Sequence, residues 1–398
     1  MAKVENQEVK GLTGDQAVAY ALLNIDPDVV PAYPITPQTI IMEKFSEFWA
    51  DGLVKTELVH VESEHSAMSA AVGASATGAR VFTATASQGV ALMYEILFIA
   101  SGSRLPIVMA VANRALSAPI NIHGELTDQL VTRDAGWVSF IGEDAQEAYD
   151  HTIIGFKIAE YPEVSLPFMY GLEGFIVTHA LEPVYMLDKK TIYDFIGEFR
   201  EPSNWVFAPG NPGAQGLLAL PDYYMELKYQ QEQGMKNARK VIPKVLDEFG
   251  EITGRYYHEV EPFHMEDAKY AFITAGASSG TAKAVVQRLR SKGEPVGMVK
   301  LRTIRPYPDE QLSELLKDLD GVMVVDRSVT FGSPASIQAT DLASALLKHR
   351  KFPRVLSSAI VGLGGRDITE KDFEGLYEQL KKDVQEDVSR THWWGVRI

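Results

Sequence analysis

Along residues 10–185, short apolar segments alternate with helical ones, and small or polar residues gather where each apolar segment ends. The apolar segments fall at 29–33, 56–61, 80–85 and 106–112, with further candidates at 137–141, 165–169 and 180–186. Helical patterns fill the gaps. Thr13 and Gln16 have the spacing of a capping box ahead of a first helix. Ile40, Ile41, Phe45 and Phe48 recur near helical spacing in a segment that starts at Thr36, and a further helix is expected at 89–100. Apolar strands joined through helices call for a parallel sheet covered on both faces, so this stretch predicts a doubly wound α/β domain.

The alternation returns at 266–398, with strands expected at 270–275, 296–301, 321–325 and 355–361 and helices at 279–292, 309–319, 333–348 and 370–384. That is a second, smaller α/β domain. The stretch between is rich in Pro, Tyr, Phe and Trp and holds one long charged helix, near 223–249. It reads as a connecting arm of the kind that packs on another subunit. The predicted division is therefore 1–190, 191–265 and 266–398.

In open α/β sheets, ligands bind outside the carboxyl ends of the strands, so functional groups are expected there. Glu64 stands where strand 56–61 gives way to a helix made almost wholly of small residues: Ala67, Ala70, Ala71, Gly73, Ala74, Ala76 and Gly78. An acid in a first helical turn also serves the helix dipole. So little bulk behind it, however, lets a flat ligand or another backbone come close. Thr36 lies between Pro34 and Pro37 after strand 29–33. As an N-cap with Pro37 at the first helical position it has an ordinary explanation; the alternative is a hydroxyl turned to a ligand. The run from Thr83 to Gly89, including Ser87 and Gln88, has the small residues of a ligand-hugging loop. Asn113 and Arg114 end the next strand, where a guanidinium can grip a carboxylate in bidentate fashion. Four successive strand ends thus converge on one edge of one sheet.

Composition narrows the classes. The chain of 398 residues has no cysteine, hence no disulfide, no thiol nucleophile and no thiolate cluster ligand of its own. A net charge of −15 disfavours nucleic acid and anionic membranes. No apolar run approaches the roughly 18 residues of a membrane span, and the polar start does not look like a secretory leader, so a cytoplasmic location is expected. His60, Glu62, Glu64 and His65 do not have the spacing of a zinc site, and no metal site is expected. No G-x-G-x-x-G stands at a strand–helix junction, which disfavours a dinucleotide site.

The segments YPITPQT (33–39), VESEHSAMSAAVGASATGA (61–79), FTATASQGVALMYE (82–95), LPIVMAVANRALSAPINI (105–122) and GLGGRDIT (362–369) resemble the α subunit of 2-oxoacid:ferredoxin oxidoreductases, the pyruvate enzymes especially. The resemblance runs from about residue 10 to 380. It implies a pyrimidine-type thiamine diphosphate domain followed by a transketolase-C-terminal-like domain. It further implies that the cofactor is split between chains, with Mg²⁺ and the diphosphate half in a β subunit, and iron–sulfur clusters in partner γ and ferredoxin-like δ subunits. Glu64 matches the glutamate that hydrogen-bonds the pyrimidine N1′, a contact that favours the imino tautomer needed to deprotonate the thiazolium. Burial against the ring would raise its pKa. Pro34, Ile35, Ser87 and Gln88 match further cofactor contacts. Thr36 and Arg114 match the groups that bind the oxoacid, with Asn113 and His123 bordering the same pocket. Coenzyme A is the expected co-substrate, and ferredoxin the acceptor. The loop His123–Asp128 lacks the tryptophan or Gly-Asp-His run often found in pyruvate-type chains. A larger or aromatic 2-oxoacid such as phenylglyoxylate, with electrons reaching NAD through a flavin subunit, therefore stays open. So does the β chain of a 2-oxoacid dehydrogenase E1 component, although NRALSAP and YPITP favour the first family. A non-catalytic scaffold is a third reading, opposed by the retention of Glu64, Thr36 and Arg114.

Overall fold

The structure, a computed structural model, describes residues 7–199 and 215–397. Six parallel strands form the sheet of the first domain, in the order Glu57–His60, Val29–Ala32, Phe82–Thr85, Val108–Asn113, Phe168–Glu173, Val138–Ile141. The first two form a pair of their own. They join the rest through a bridge from Val29 to Val81 and a hydrogen bond from Thr83 Oγ1 to the Pro31 carbonyl at 2.9 Å. Helices cover both faces. On one, Gly14–Ile25 and Ala145–Ala159 pack over Phe82, Phe140, Phe168 and Tyr170; on the other, Glu64–Ala76 and Gln88–Gly102 enclose Met68, Met93, Leu97 and Trp137. The chain leaves Val29–Ala32 in one direction across the sheet and returns to build the remainder on the other side. The topological switch point therefore lies between Val29–Ala32 and Phe82–Thr85, where such sheets place ligands.

The expected Thr13 capping box is present: Gln16 N donates to Thr13 Oγ1 and Thr13 N to Gln16 Oε1. Three local expectations are corrected. Thr36 is not a helix cap. The helix spans Thr39–Ala50, with Gln38 as its N-cap residue and no side-chain cap. Pro37 cannot donate a backbone N–H, and Gln38 folds back so that its Oε1 accepts from Ile35 N, holding residues 36–38 in a turn. The segment expected at 165–169 becomes the strand Phe168–Glu173. The segment expected at 180–186 does not enter the main sheet. Glu182–Met186 pairs antiparallel with Glu8–Leu12, and its alternating burial is that of a ribbon with one wet face.

The second domain has parallel strands Thr391–Trp393, Val355–Ile360, Gly321–Asp326, Tyr270–Thr274 and Val296–Leu301, in that spatial order, with Val260–Phe263 antiparallel at the edge. Val260–Phe263 falls inside the range read as connecting arm. The long helix of that arm, Pro221–Thr253, buries Ala238, Val241, Ile242, Val245, Leu246 and Phe249 in the first domain, so its second half covers its own chain rather than another subunit. Its first half exposes Tyr223, Tyr224, Met225 and Tyr229.

Several contacts couple the domains, and two of them bear on the strand edges. Thr303–Arg305 of the second domain pairs antiparallel with Val138–Ile141 and closes that edge of the first sheet. Glu173, fully buried at the carboxyl end of its strand, accepts from Ala277 N at 2.7 Å and from Arg327 Nη1 at 2.7 Å. Ala277 precedes the helix Ser278–Ser291 and Arg327 follows Gly321–Asp326, so a first-domain carboxylate fills the switch point of the second sheet.

Candidate active site

Glu64, Thr36, Ser87, Gln88, Asn113 and Arg114 stand at the carboxyl edge of the first sheet. Glu64 is the first residue of its helix, behind Ser63, whose hydroxyl accepts from Ser66 N and fixes the entry of the chain. The residue is only 7% exposed, yet its carboxylate has no hydrogen-bond partner among the described residues. The hydroxyl of Thr85, at the end of the next strand, is also buried without a partner. Both groups meet at Gly89. A Cβ there would lie 2.2 Å from Thr85 Oγ1 and 2.9 Å from Glu64 Oε1, so only glycine lets the helix Gln88–Gly102 start this close. An unpaired buried acid beside an unpaired hydroxyl, over a helix of small residues, fits the polar edge of an aminopyrimidine ring. Among the described residues no group of His, Asp or Glu is placed to hold a metal ion.

Ser87, between that strand and helix, has φ 49° and ψ −119°, an unusual backbone for a residue with a side chain. It is held there from two sides. Its N–H donates to Asp128 Oδ2 at 2.8 Å, and its Oγ lies 2.5 Å from the Ala115 carbonyl and 2.6 Å from Gln88 Oε1. Asn113 is fully buried and donates from Nδ2 to Asp128 Oδ1 at 3.0 Å, while its own Oδ1 is unpaired.

Arg114 is 8% exposed. Its Nη1 donates to the Thr36 carbonyl at 2.8 Å and its Nε to the Asn121 carbonyl at 3.2 Å, while Nη2 has no partner among the described residues. Thr36 and Arg114 are thus brought together, though through the backbone of Thr36. Burial pulls the Arg114 guanidinium below its ordinary pKa, and the charges of Asp128 and Glu64 oppose that pull. The guanidinium keeps its proton through the ordinary pH range and offers a charged N–H face between the Thr36 turn and the Asn121 loop.

His123 lies farther out. It is exposed, its ring lies 4.8 Å from that of Phe175 at a tilt of 37°, and it makes no hydrogen bond to Arg114 or Thr36 among the described residues. Pro34 is exposed at the turn and Ile35 half-buried behind it. The Gly-rich turn of the second domain reaches this loop. Gly364 and Gly365, both with positive φ, donate to Glu125 Oε2 and to the Gly124 carbonyl, and Asn121 Nδ2 donates to the Gly364 carbonyl. A side chain at Gly365 would strike His123 Cβ at 2.3 Å. GLGG is therefore a structural turn that clamps the segment covering Arg114.

The sequence reading missed Asp128. It is fully buried, and its carboxylate accepts from Ser87 N, Arg114 N, Asn113 Nδ2 and Gln129 N. Burial pushes its pKa up to about 6, and the four donors pull the other way. No local pattern announces it, because its partners come from two other strand ends.

Two family models match the chain. Residues 20–247 match the thiamine-diphosphate-binding domain of pyruvate flavodoxin/ferredoxin oxidoreductase. Residues 268–373 match core domain II of pyruvate:ferredoxin oxidoreductase. Pyruvate synthase subunit PorA of Thermotoga maritima is 48% identical over 92% of the chain and 93% of its own length. Ketoisovalerate oxidoreductase subunit VorA of Pyrococcus abyssi is 43% identical over 94% of each. Among solved structures, a 2-oxoglutarate:ferredoxin oxidoreductase from Magnetococcus marinus, with 2-oxoglutarate, coenzyme A and succinyl-CoA bound, superposes with a TM-score of 0.72 at 20% identity. That match covers 96% of this chain and 66% of the other, and at such identity it speaks for the fold.

Proposed function

The chain belongs to the pyruvate flavodoxin/ferredoxin oxidoreductase family, a family of enzymes that act as complexes, and on that premise we propose that it is the α subunit of a coenzyme-A-acylating 2-oxoacid oxidoreductase with pyruvate as its substrate. Thiamine diphosphate, when bound, supplies a thiazolium that accepts the electron pair released with CO₂. What this chain adds follows from its side chains. Glu64 holds a proton at the pyrimidine N1′, in a setting that offers its carboxylate no competing partner. Thr85 provides a second polar group beside it, and Gly89 keeps the floor low. Arg114 takes the oxoacid carboxylate on its free N–H face, oriented by the carbonyls of Thr36 and Asn121. One observation carries this reading: a buried, unpartnered acid and a buried arginine with an unspent N–H share one sheet edge at a switch point.

The other half of the site belongs to partners. The helix Gln88–Gly102, which starts against Glu64, exposes Leu92, Tyr94, Phe98 and Ile99 along its length, a surface suited to the β subunit that would carry Mg²⁺ and the diphosphate. With no cysteine in this chain, the iron–sulfur clusters that pass electrons to ferredoxin would sit in γ and δ subunits. No helix among the described residues is long and apolar enough to cross a membrane.

The test is a panel of 2-oxoacids, from pyruvate through 2-oxoisovalerate to phenylglyoxylate, given to the purified complex with coenzyme A and a viologen dye. Pyruvate is expected to have the highest kcat/KM. A preference for the branched or the aromatic acid would reassign the substrate, and a colourless complex that transfers its acyl group to a lipoyl protein would overturn the reading. In the same assay Arg114→Ala should lower kcat/KM about 10–10²-fold, mostly through KM, since a charge-assisted hydrogen bond contributes roughly 1.5–3 kcal/mol. An unchanged KM would remove Arg114 from the substrate.

A further inference from the structure

We propose that Asp128 is a positioning residue that locks the Arg114 arm to the Ser87 turn and thereby sets the affinity of the site for the oxoacid carboxylate; this rests on the functional reading above. Its two oxygens divide the work. Oδ2 accepts from Ser87 N at 2.8 Å and from Arg114 N at 2.9 Å, so one atom ties together the ends of two neighbouring strands. Oδ1 accepts from Asn113 Nδ2 at 3.0 Å and from Gln129 N at 2.8 Å, which anchors that atom to the arm and to its own short helix, Thr127–Leu130.

The choice of donors matters. Asp128 holds Arg114 by its backbone, while the guanidinium donates to neutral carbonyls instead. An acid paired directly with the guanidinium would compete with the substrate for it. Holding the main chain fixes the arm and leaves the side-chain charge for a ligand. The same carboxylate restrains Ser87, whose left-handed backbone persists only where its surroundings over-determine it. The cofactor turn and the substrate arm are therefore held in one register by a side chain that need touch neither ligand. Full burial makes this exacting, because a buried acceptor lost from such a hub leaves its donors unpaired.

Asp128→Asn is the informative change. Whichever way its amide turns, an NH₂ faces two N–H donors, so either the Ser87–Arg114 tie or the Asn113–Gln129 tie is lost. In the purified complex the KM for the 2-oxoacid should rise about 10–10²-fold. The affinity for oxamate, an unreactive isostere of pyruvate, should fall by the same factor in calorimetry, with kcat reduced much less. The deciding measurement is a double-mutant cycle with Arg114→Ala. If Asp128 acts through Arg114, Asp128→Asn adds less than about twofold to KM in the Arg114→Ala background. A full, multiplicative effect there would show general damage and overturn the proposal, as would an unchanged KM in the single variant. If the Asn variant fails to assemble, Asp128→Ser, which keeps one acceptor and takes less space, enters the same cycle. A wild-type complex that turns over no 2-oxoacid would instead reject the functional reading, a distinct result.

Discussion

In the assembled complex, Glu64→Gln lowers kcat by about 10²–10⁴-fold, the range that a positioned proton-transfer group supplies, while assembly and cofactor retention survive. The substitution changes few atoms. Glutamine fills the same volume beside Gly89 and Thr85, so packing gives no reason for the chain to misfold. What it removes is a carboxylate able to hold a proton against a ring nitrogen. Steady-state turnover measures the loss, and the rate at which bound thiamine diphosphate exchanges its C2 proton for deuterium locates it. Both should fall together. Near-normal turnover in Glu64→Gln would mean that the unpartnered acid has another purpose.

The second large effect is conformational. Arg327→Met leaves Glu173 buried with Ala277 N–H as its remaining donor, and an uncompensated buried charge costs about 3–5 kcal/mol. The consequence is local to the joint between the domains. Leu126 N donates to the Arg327 carbonyl and Gly365 N to the Gly124 carbonyl, so both amides report on the clamp. Hydrogen exchange at Leu126 and Gly365 should accelerate by about 200- to 5,000-fold, the factor that such a free energy implies for opening. The double variant Glu173→Met/Arg327→Met should recover most of the protection, because replacing a buried pair on both sides costs far less than breaking it on one. Unchanged exchange in the single variant would show that the pair does not hold the domains together.

The sequence spoke clearly wherever a function is local. Strand ends are written in a few consecutive residues, so Glu64, Ser87, Asn113 and Arg114 fall on one edge from the sequence alone. For Thr36 the ordinary explanation fails, while its place at the strand end stands. Its neighbourhood matters, but it contributes a carbonyl to Arg114 and does not cap a helix, since residues 36–38 turn before the helix begins at Thr39. In the sequence Asp128 is only the end of a loop. Its role comes from donors on three separate segments, and no spacing rule encodes such a meeting. Glu173 and Arg327 are 154 residues apart, and each in isolation reads as an ordinary charge at a strand end. The ribbon of Glu8–Leu12 with Glu182–Met186 was missed for the same reason: pairing across the length of a domain leaves no mark on either segment.

The short strand Thr303–Arg305 bears on how the chain could be divided. Val138–Ile141 carries the sequence VSFI, uncharged and rich in strand-forming residues, at the margin of the first sheet. A fragment ending at residue 265 would keep every group of the candidate active site in the first domain and lose that covering strand. Its bare backbone N–H and C=O groups would then offer a template to any other extended chain, the usual origin of edge-to-edge aggregation. For this molecule the smallest soluble piece is therefore larger than the smallest piece that contains the active-site residues.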